Sequence, residues 1–145
     1  MANVDAVKSK VQEFLVSNLN NVGLTKDGFT IRNGSAQIFV SVRQWGDKDT
    51  LVKFEVPVLF DVPRSPELYE YIAFHASDWV FGTIGLNASD EDPGKVVITL
   101  EHSLQGDYLD EPELMEAVRL LAQIGDKIDD ELKSQFGGTR FHEDD

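Results

Sequence analysis

From Phe29 to Phe60 apolar residues recur at every second position, and the pattern is interrupted only where turn residues cluster. In "FTIRNGSAQIFVSVRQW", Phe29 and Ile31 precede Asn33-Gly34, and Ala36, Ile38, Val40 and Val42 follow it. Period two is the signature of a strand with one buried face, and Asn-Gly is the commonest pair in a two-residue hairpin turn. After "GDKD" the alternation resumes with Val52, Phe54, Val56, Val58 and Phe60 on one side and Lys53 and Glu55 on the other. Pro57 has no N–H for a ladder, so this third strand should carry an edge or a bulge there. A chain with this middle must build a sheet and cover one of its faces.

The flanking segments supply the cover. In "NVDAVKSKVQEFLVSNLNNVG" the residues Val4, Val7, Val11, Phe14, Leu15 and Leu19 fall every three or four positions, which makes one apolar helix side. Asn20, Asn21 and Gly23 have the composition of its stop. A second, short helix should start at Ser65, an N-cap residue followed by Pro66 and Glu67, and end near Ser77 or Asp78. A long third helix should start at Asp110, with Glu113 completing a capping box and Leu109 and Leu114 placed as a hydrophobic staple. It should run to about Gln135, and "FGGTRFHEDD" reads as its stop and a mobile acidic tail.

Residues 80–88 and 95–104 are strand-like, the second with Val96, Ile98, Leu100, His102 and Leu104 on one face. The order α-β-β-β-α-β-β-α predicts an α+β fold, a mainly antiparallel five-stranded sheet with helices packed on one face. One domain should span residues 1–137, with 138–145 as the tail.

No catalytic or metal-binding constellation emerges. "FGTIG" lacks the spacing and the lysine of a phosphate loop and leads into a strand. Asp90, Glu91 and Asp92 are hard oxygen ligands, but Pro93 and Lys95 interrupt the arrangement of a calcium loop, and a solvated hairpin loop explains them better. His75, His102 and His142 form no i, i+4 pair, and the chain has no cysteine. The reading is therefore of a non-enzyme without a cofactor. The net charge of −13 argues against nucleic acid, whose binding rests on cations replacing counterions. The opening residues lack the pattern of a signal peptide and no stretch has the length of a membrane span, so a cytoplasmic protein that does not insert into membranes is expected.

The segments "LVKFEVPVLFDVP", "WVFGTIGLNASDEDPGKVVITLEHSL" and "LDEPELMEAVRLLAQIGDKIDDEL" resemble YbjN-like domains, which are related to the type III secretion chaperones. That resemblance implies a small, acidic, cytosolic, non-catalytic and usually dimeric protein. Its secretion relatives hold an extended segment of a client, and the second helix with the strand after it is a common pairing surface. It implies a chaperone-like module that holds or escorts another polypeptide as a homodimer. The alternative is a regulatory domain that senses a small ligand or signalling partner.

Two interaction surfaces follow. Phe74, Trp79, Phe81, Gly82, Ile84 and Leu86, where the second helix passes to the fourth strand, read either as core packing or, in part, as a dimer or partner interface, the glycine permitting close approach. Phe39, Leu51 and Leu59 are placed on the sheet face away from the helices, where an extended peptide could lie.

Overall fold

The computed structural model describes residues 3–143. The elements run α1 (Val4–Asn18), β1 (Val22–Leu24), β2 (Gly28–Asn33), β3 (Ala36–Trp45), β4 (Asp49–Pro63), α2 (Pro66–His75), β5 (Thr83–Ala88), β6 (Lys95–Gln105) and α3 (Glu111–Phe136). The strands form one antiparallel sheet in the order β1-β2-β3-β4-β6-β5. The fold is α+β as expected, with six strands rather than five. The additional strand, β1, is Val-Gly-Leu, paired from Val22↔Ile31 to Leu24↔Phe29. Three residues with a glycine at the centre cannot display a period, and their composition matched a helix stop instead.

The helices cover one sheet face. Val7, Val11 and Leu15 of α1 and Leu114, Ala117, Val118, Leu121, Ile128 and Leu132 of α3 are buried against Ile38, Val40, Val52, Phe54 and Val56 from the sheet. The termini of α2 and α3 obey the cap chemistry: Ser65 Oγ accepts from Leu68 N at 3.1 Å, and Asp110 Oδ1 accepts from Glu113 N at 2.9 Å. Leu109 and Leu114 are both buried, as a staple requires. Each cap is worth about 1 kcal/mol. At the far end of the sheet Lys10 Nζ, reaching from α1, donates to Gly106 O at 2.9 Å, and Asp107 Oδ1 accepts from buried Thr50 Oγ1 at 3.1 Å.

The irregularity expected near Pro57 decides which side chains face inward. Register shifts fall between Pro57 and Leu59 and again between Leu59 and Val62. Before them Leu51, Lys53, Glu55 and Pro57 stand on the open face; after them Leu59 pairs with Ile98 and Val62 with Val96, both core residues. Directly paired residues share a sheet face. Leu59 is thus buried under the helices and not on the open face, and Phe60 is the residue displaced outward.

Residues 144 and 145 of the expected tail lie outside the described residues. Of residues 138–143, Thr139 bridges Phe60 of β4, His142 Nε2 lies 2.8 Å from Gln37 Oε1 of β3, and Glu143 pairs with Lys133 of α3 at 2.9 Å.

Candidate functional site: the α2–β5 corner and the open sheet face

Helix α2 buries only one residue completely, Leu68, although it carries Tyr69, Tyr71, Ile72 and Phe74. Phe74 is 77% exposed and Val80, in the turn that follows, is 93% exposed. Such neighbouring large apolar groups are the informative exception on a surface, because isolated ones are commonplace. Beside Phe74 lies an open cleft of about 630 Å³ lined by Glu67, Glu70, Tyr71, His75, Gln135 and Phe136. Tyr71 stacks on His75 at 4.4 Å and meets Phe136 edge-on at 5.5 Å. Burial, aided by the charges of Glu131 and Asp78, raises the Tyr71 hydroxyl above its ordinary pKa. His75 is half-exposed and its Nδ1 lies 2.7 Å from Asp78 Oδ2.

The six corner residues do not all reach the surface. Phe74 is exposed, while Trp79, Phe81 and Leu86 are partly buried and pack against the core. Ile84 is only 2% exposed and is committed to the core. Gly82 has φ +89, and a Cβ there would stand 2.7 Å from Leu100 Cδ1 and 3.0 Å from Leu121 Cδ2. The close approach that its missing side chain permits is therefore toward the protein's own interior. Gly82 N donates to His102 Nδ1 at 3.2 Å, and the imidazole lies 4.9 Å from the Phe81 ring. Burial lowers the His102 pKa below its ordinary value of 6.5. Val80 was missing from the residues singled out in the sequence, because one valine in a turn breaks no pattern.

Strand β5 is an edge of the sheet. Ile84 N bonds outward to Ala76 O of the α2 terminus at 3.0 Å, while Ser89 N bonds inward to Lys95 O at 3.3 Å. Amides two residues apart point the same way along a strand. The N–H groups of Leu86 and Ala88 therefore face away from β6, toward a position that another strand can take. The adjoining loop is built by its own side chains: Ser89 Oγ accepts from Glu91 N and Asp92 N, and Asp92 Oδ1 accepts from Gly94 N at 2.9 Å.

The open sheet face is less uniform than Phe39, Leu51 and Leu59 implied. Phe39 and Leu51 stand on it and Leu59 does not, for the register reason given above. Between them lie Arg43, Lys53, Glu55 and Glu101, linked by ion pairs of 3.5 Å (Arg43–Glu55), 3.7 Å (Lys53–Glu55) and 4.0 Å (Lys53–Glu101). Among the described residues no helix is long and apolar enough to cross a membrane, and no group of three or more His or acidic side chains could hold a metal ion.

Residues 5–144 match the family described as T3SS (YopN, CesT) and YbjN peptide-binding chaperone 1. The chain belongs to this family. No curated protein matches the sequence. The crystal structure of YbjN from E. coli has the same fold, with a TM-score of 0.63 and 12% identity over 88% of this chain and 93% of that one.

Proposed function

We propose that the chain is a non-enzymatic, cytoplasmic module that holds an extended segment of another polypeptide, and that two copies pair at the α2–β5 corner. The family is one of peptide-binding chaperones, which supports the polypeptide partner. The observation that carries the pairing is the corner itself: Phe74 and Val80, uncovered, beside an edge strand with the Leu86 and Ala88 amides turned outward. An aromatic and aliphatic patch next to an open ladder is what a two-fold interface uses, since the same surface serves both copies. Trp79, Phe81 and Leu86 form its inner rim.

Sedimentation velocity at tens of micromolar, with Val80→Glu as the control, tests the pairing. A dimer that dissociates in V80E is the expected result; a monomer for the unaltered chain would refute it. Fluorescence anisotropy with a panel of labelled unstructured peptides tests the holding role. Saturable binding of some of them supports it, and none bound at any concentration below a millimolar would refute it.

A second reading, a sensor of a small ligand, has one observation in its favour. An apolar cleft of about 180 Å³ between α3 and β2–β3 is lined by Ile31, Ile38, Met115 and Val118, with Arg32 and Arg119 beside it. A ligand taken up there would raise the unfolding midpoint in a thermal-shift screen.

A further inference from the structure

The C-terminal segment occupies a gap in the sheet. Strands β3 and β4 pair from Phe39↔Glu55 to Trp45↔Asp49, so the second half of β4, from Val56 on, has no partner from β3. Gly137 and Gly138, with φ of 80° and 91°, turn the chain off α3 toward it. A Cβ on Gly138 would lie 2.7 Å from Phe60 O, so only glycine passes this close. Thr139 and Phe60 then exchange both backbone hydrogen bonds, at 2.8 and 2.9 Å.

The next two side chains fill two different receptors. Arg140 points to Asp129, Asp130 and Glu143, while the Phe141 ring lies 5.9 Å from Phe39 and 5.8 Å from Phe60. A strand ladder, a cation cleft and an aromatic slot along one extended segment are the means by which a sheet recognises a peptide. The receptor for the cation is a cleft of about 390 Å³ to which Gly34, Ser35, Asp126, Asp129 and Asp130 contribute the walls and the tail contributes Arg140 and Glu143.

Arg140 serves this cleft incompletely. Asp129 is 3% exposed, and its Oδ2 accepts from Ser35 Oγ. Its Oδ1 is held only by the long ion pair to Arg140 Nε, at 3.5 Å. A buried carboxylate oxygen with one long contact is costly. Phe141 also remains 37% exposed on its seat. The occupant makes both ladder bonds and three ion pairs, and leaves part of its aromatic ring in solvent.

We propose that this groove binds an extended segment of a partner polypeptide in which a basic residue is followed directly by an aromatic one, and that Arg140–Phe141 occupies it until displaced. The proposal rests on the peptide-holding reading above and adds a place and a sequence preference. The net charge of −13 favours a basic segment over any acidic competitor. The partner's cation takes the Asp129–Asp130 cleft, its ring takes the place of Phe141, and its backbone takes the Phe60 ladder.

The probe is a labelled peptide copying residues 137–143, with a control in which its arginine and phenylalanine are replaced by glutamate and serine. Full-length protein carrying Arg140→Ala with Phe141→Ala should bind the copy about tenfold more tightly than the unaltered chain, because the internal competitor is gone. Adding Asp130→Lys should abolish that gain. In the unaltered chain, excess copy should accelerate hydrogen exchange at the Thr139 amide, a readout that does not depend on any variant folding. Equal affinity of the two proteins, equal binding of the control, or unchanged exchange at Thr139 would overturn the proposal. If peptides lacking the pair still bind the unaltered chain, the groove inference alone falls; if no peptide binds either protein, the peptide-holding reading falls with it.

Discussion

Two aromatic regions of this molecule are completed in different ways. At the α2–β5 corner Phe74 and Val80 are left bare, and the β5 edge offers the Leu86 and Ala88 amides. At the Phe39–Phe60 groove the chain supplies its own cover in Thr139, Arg140 and Phe141. An apolar or ladder-forming surface that the fold does not finish within one chain is available to another chain. One that it finishes loosely is available only in exchange for the occupant.

The comparison can be broken first at its glycines. Gly82 and Gly138 both have positive φ and both lie against atoms that a Cβ would strike, but Gly82 faces the Leu100 and Leu121 side chains whereas Gly138, at the groove, faces the Phe60 carbonyl and the buried Val62 side chain. Gly82→Ala should cost about 2–4 kcal/mol in urea unfolding, because strain and core overlap add. Gly138→Ala should cost about 1–2 kcal/mol, because the tail can unseat and relieve the clash. A reversed order would mean that the tail belongs to the core and the corner does not.

Acid should loosen the corner through His102, and at the groove His142, its pKa lowered by burial and by the Arg32 charge, acts with the same sign. Gly82 N–H donates to His102 Nδ1, so the imidazole is neutral with its proton on Nε2, and burial holds its folded pKa below the ordinary 6.5. Above pH 6.5 both states are neutral and the effect is absent. As pH falls past that value the unfolded chain takes up the proton first, so stability declines until the folded pKa is also passed. Asp129 has the opposite sign: burial raises its pKa above the ordinary 3.8, against the Ser35 hydrogen bond and Arg140. Protonation of Asp129 therefore relieves a penalty at lower pH. Thermal melts from pH 7.5 to 5.5 should show a falling midpoint that Phe81→Leu, which alters the ring against His102, changes and Arg140→Ala does not.

Smaller effects sharpen the contrast. Arg140→Ala should cost about 1–3 kcal/mol, because it leaves the buried Asp129 carboxylate with Ser35 as its remaining donor, without changing the mass. Phe74→Ser should alter monomer stability by no more than about 0.5 kcal/mol, since the ring is exposed, while weakening self-association in sedimentation. If the two exchanged their effects, the bare surface would be the groove.

Much of this fold was legible in the chain. Period two located β2, β3, β4 and β6, Asn33-Gly34 located a hairpin, and Ser65 and Asp110 located two helix starts. These signals are local, and local chemistry sufficed for them. What escaped is non-local or too short to carry a pattern. β1 needs β2 beside it to be a strand at all. The exchange of Leu59 and Phe60 depends on bulges whose position is set by pairing with β6, so strict alternation placed the wrong one outside. Phe60, Phe141 and Arg140 acquire a common role only because the tail returns to β4 over a distance that no spacing records. The sequence groups the six corner residues without distinction; Phe74 is exposed, while Ile84 and Gly82 are pulled inward by Leu100 and α3, which strand period alone does not reveal.

Hydrogen exchange resolved by residue, on the full chain from low to high micromolar concentration, tests the contrast between the two regions most directly. The Leu86 and Ala88 amides should slow as concentration rises, while Thr139 and Phe60 keep the same protection throughout. If Leu86 and Ala88 exchange equally fast at every concentration, or if protection at Thr139 grows with concentration, then the corner is not where copies meet and the tail is not a cover made within one chain.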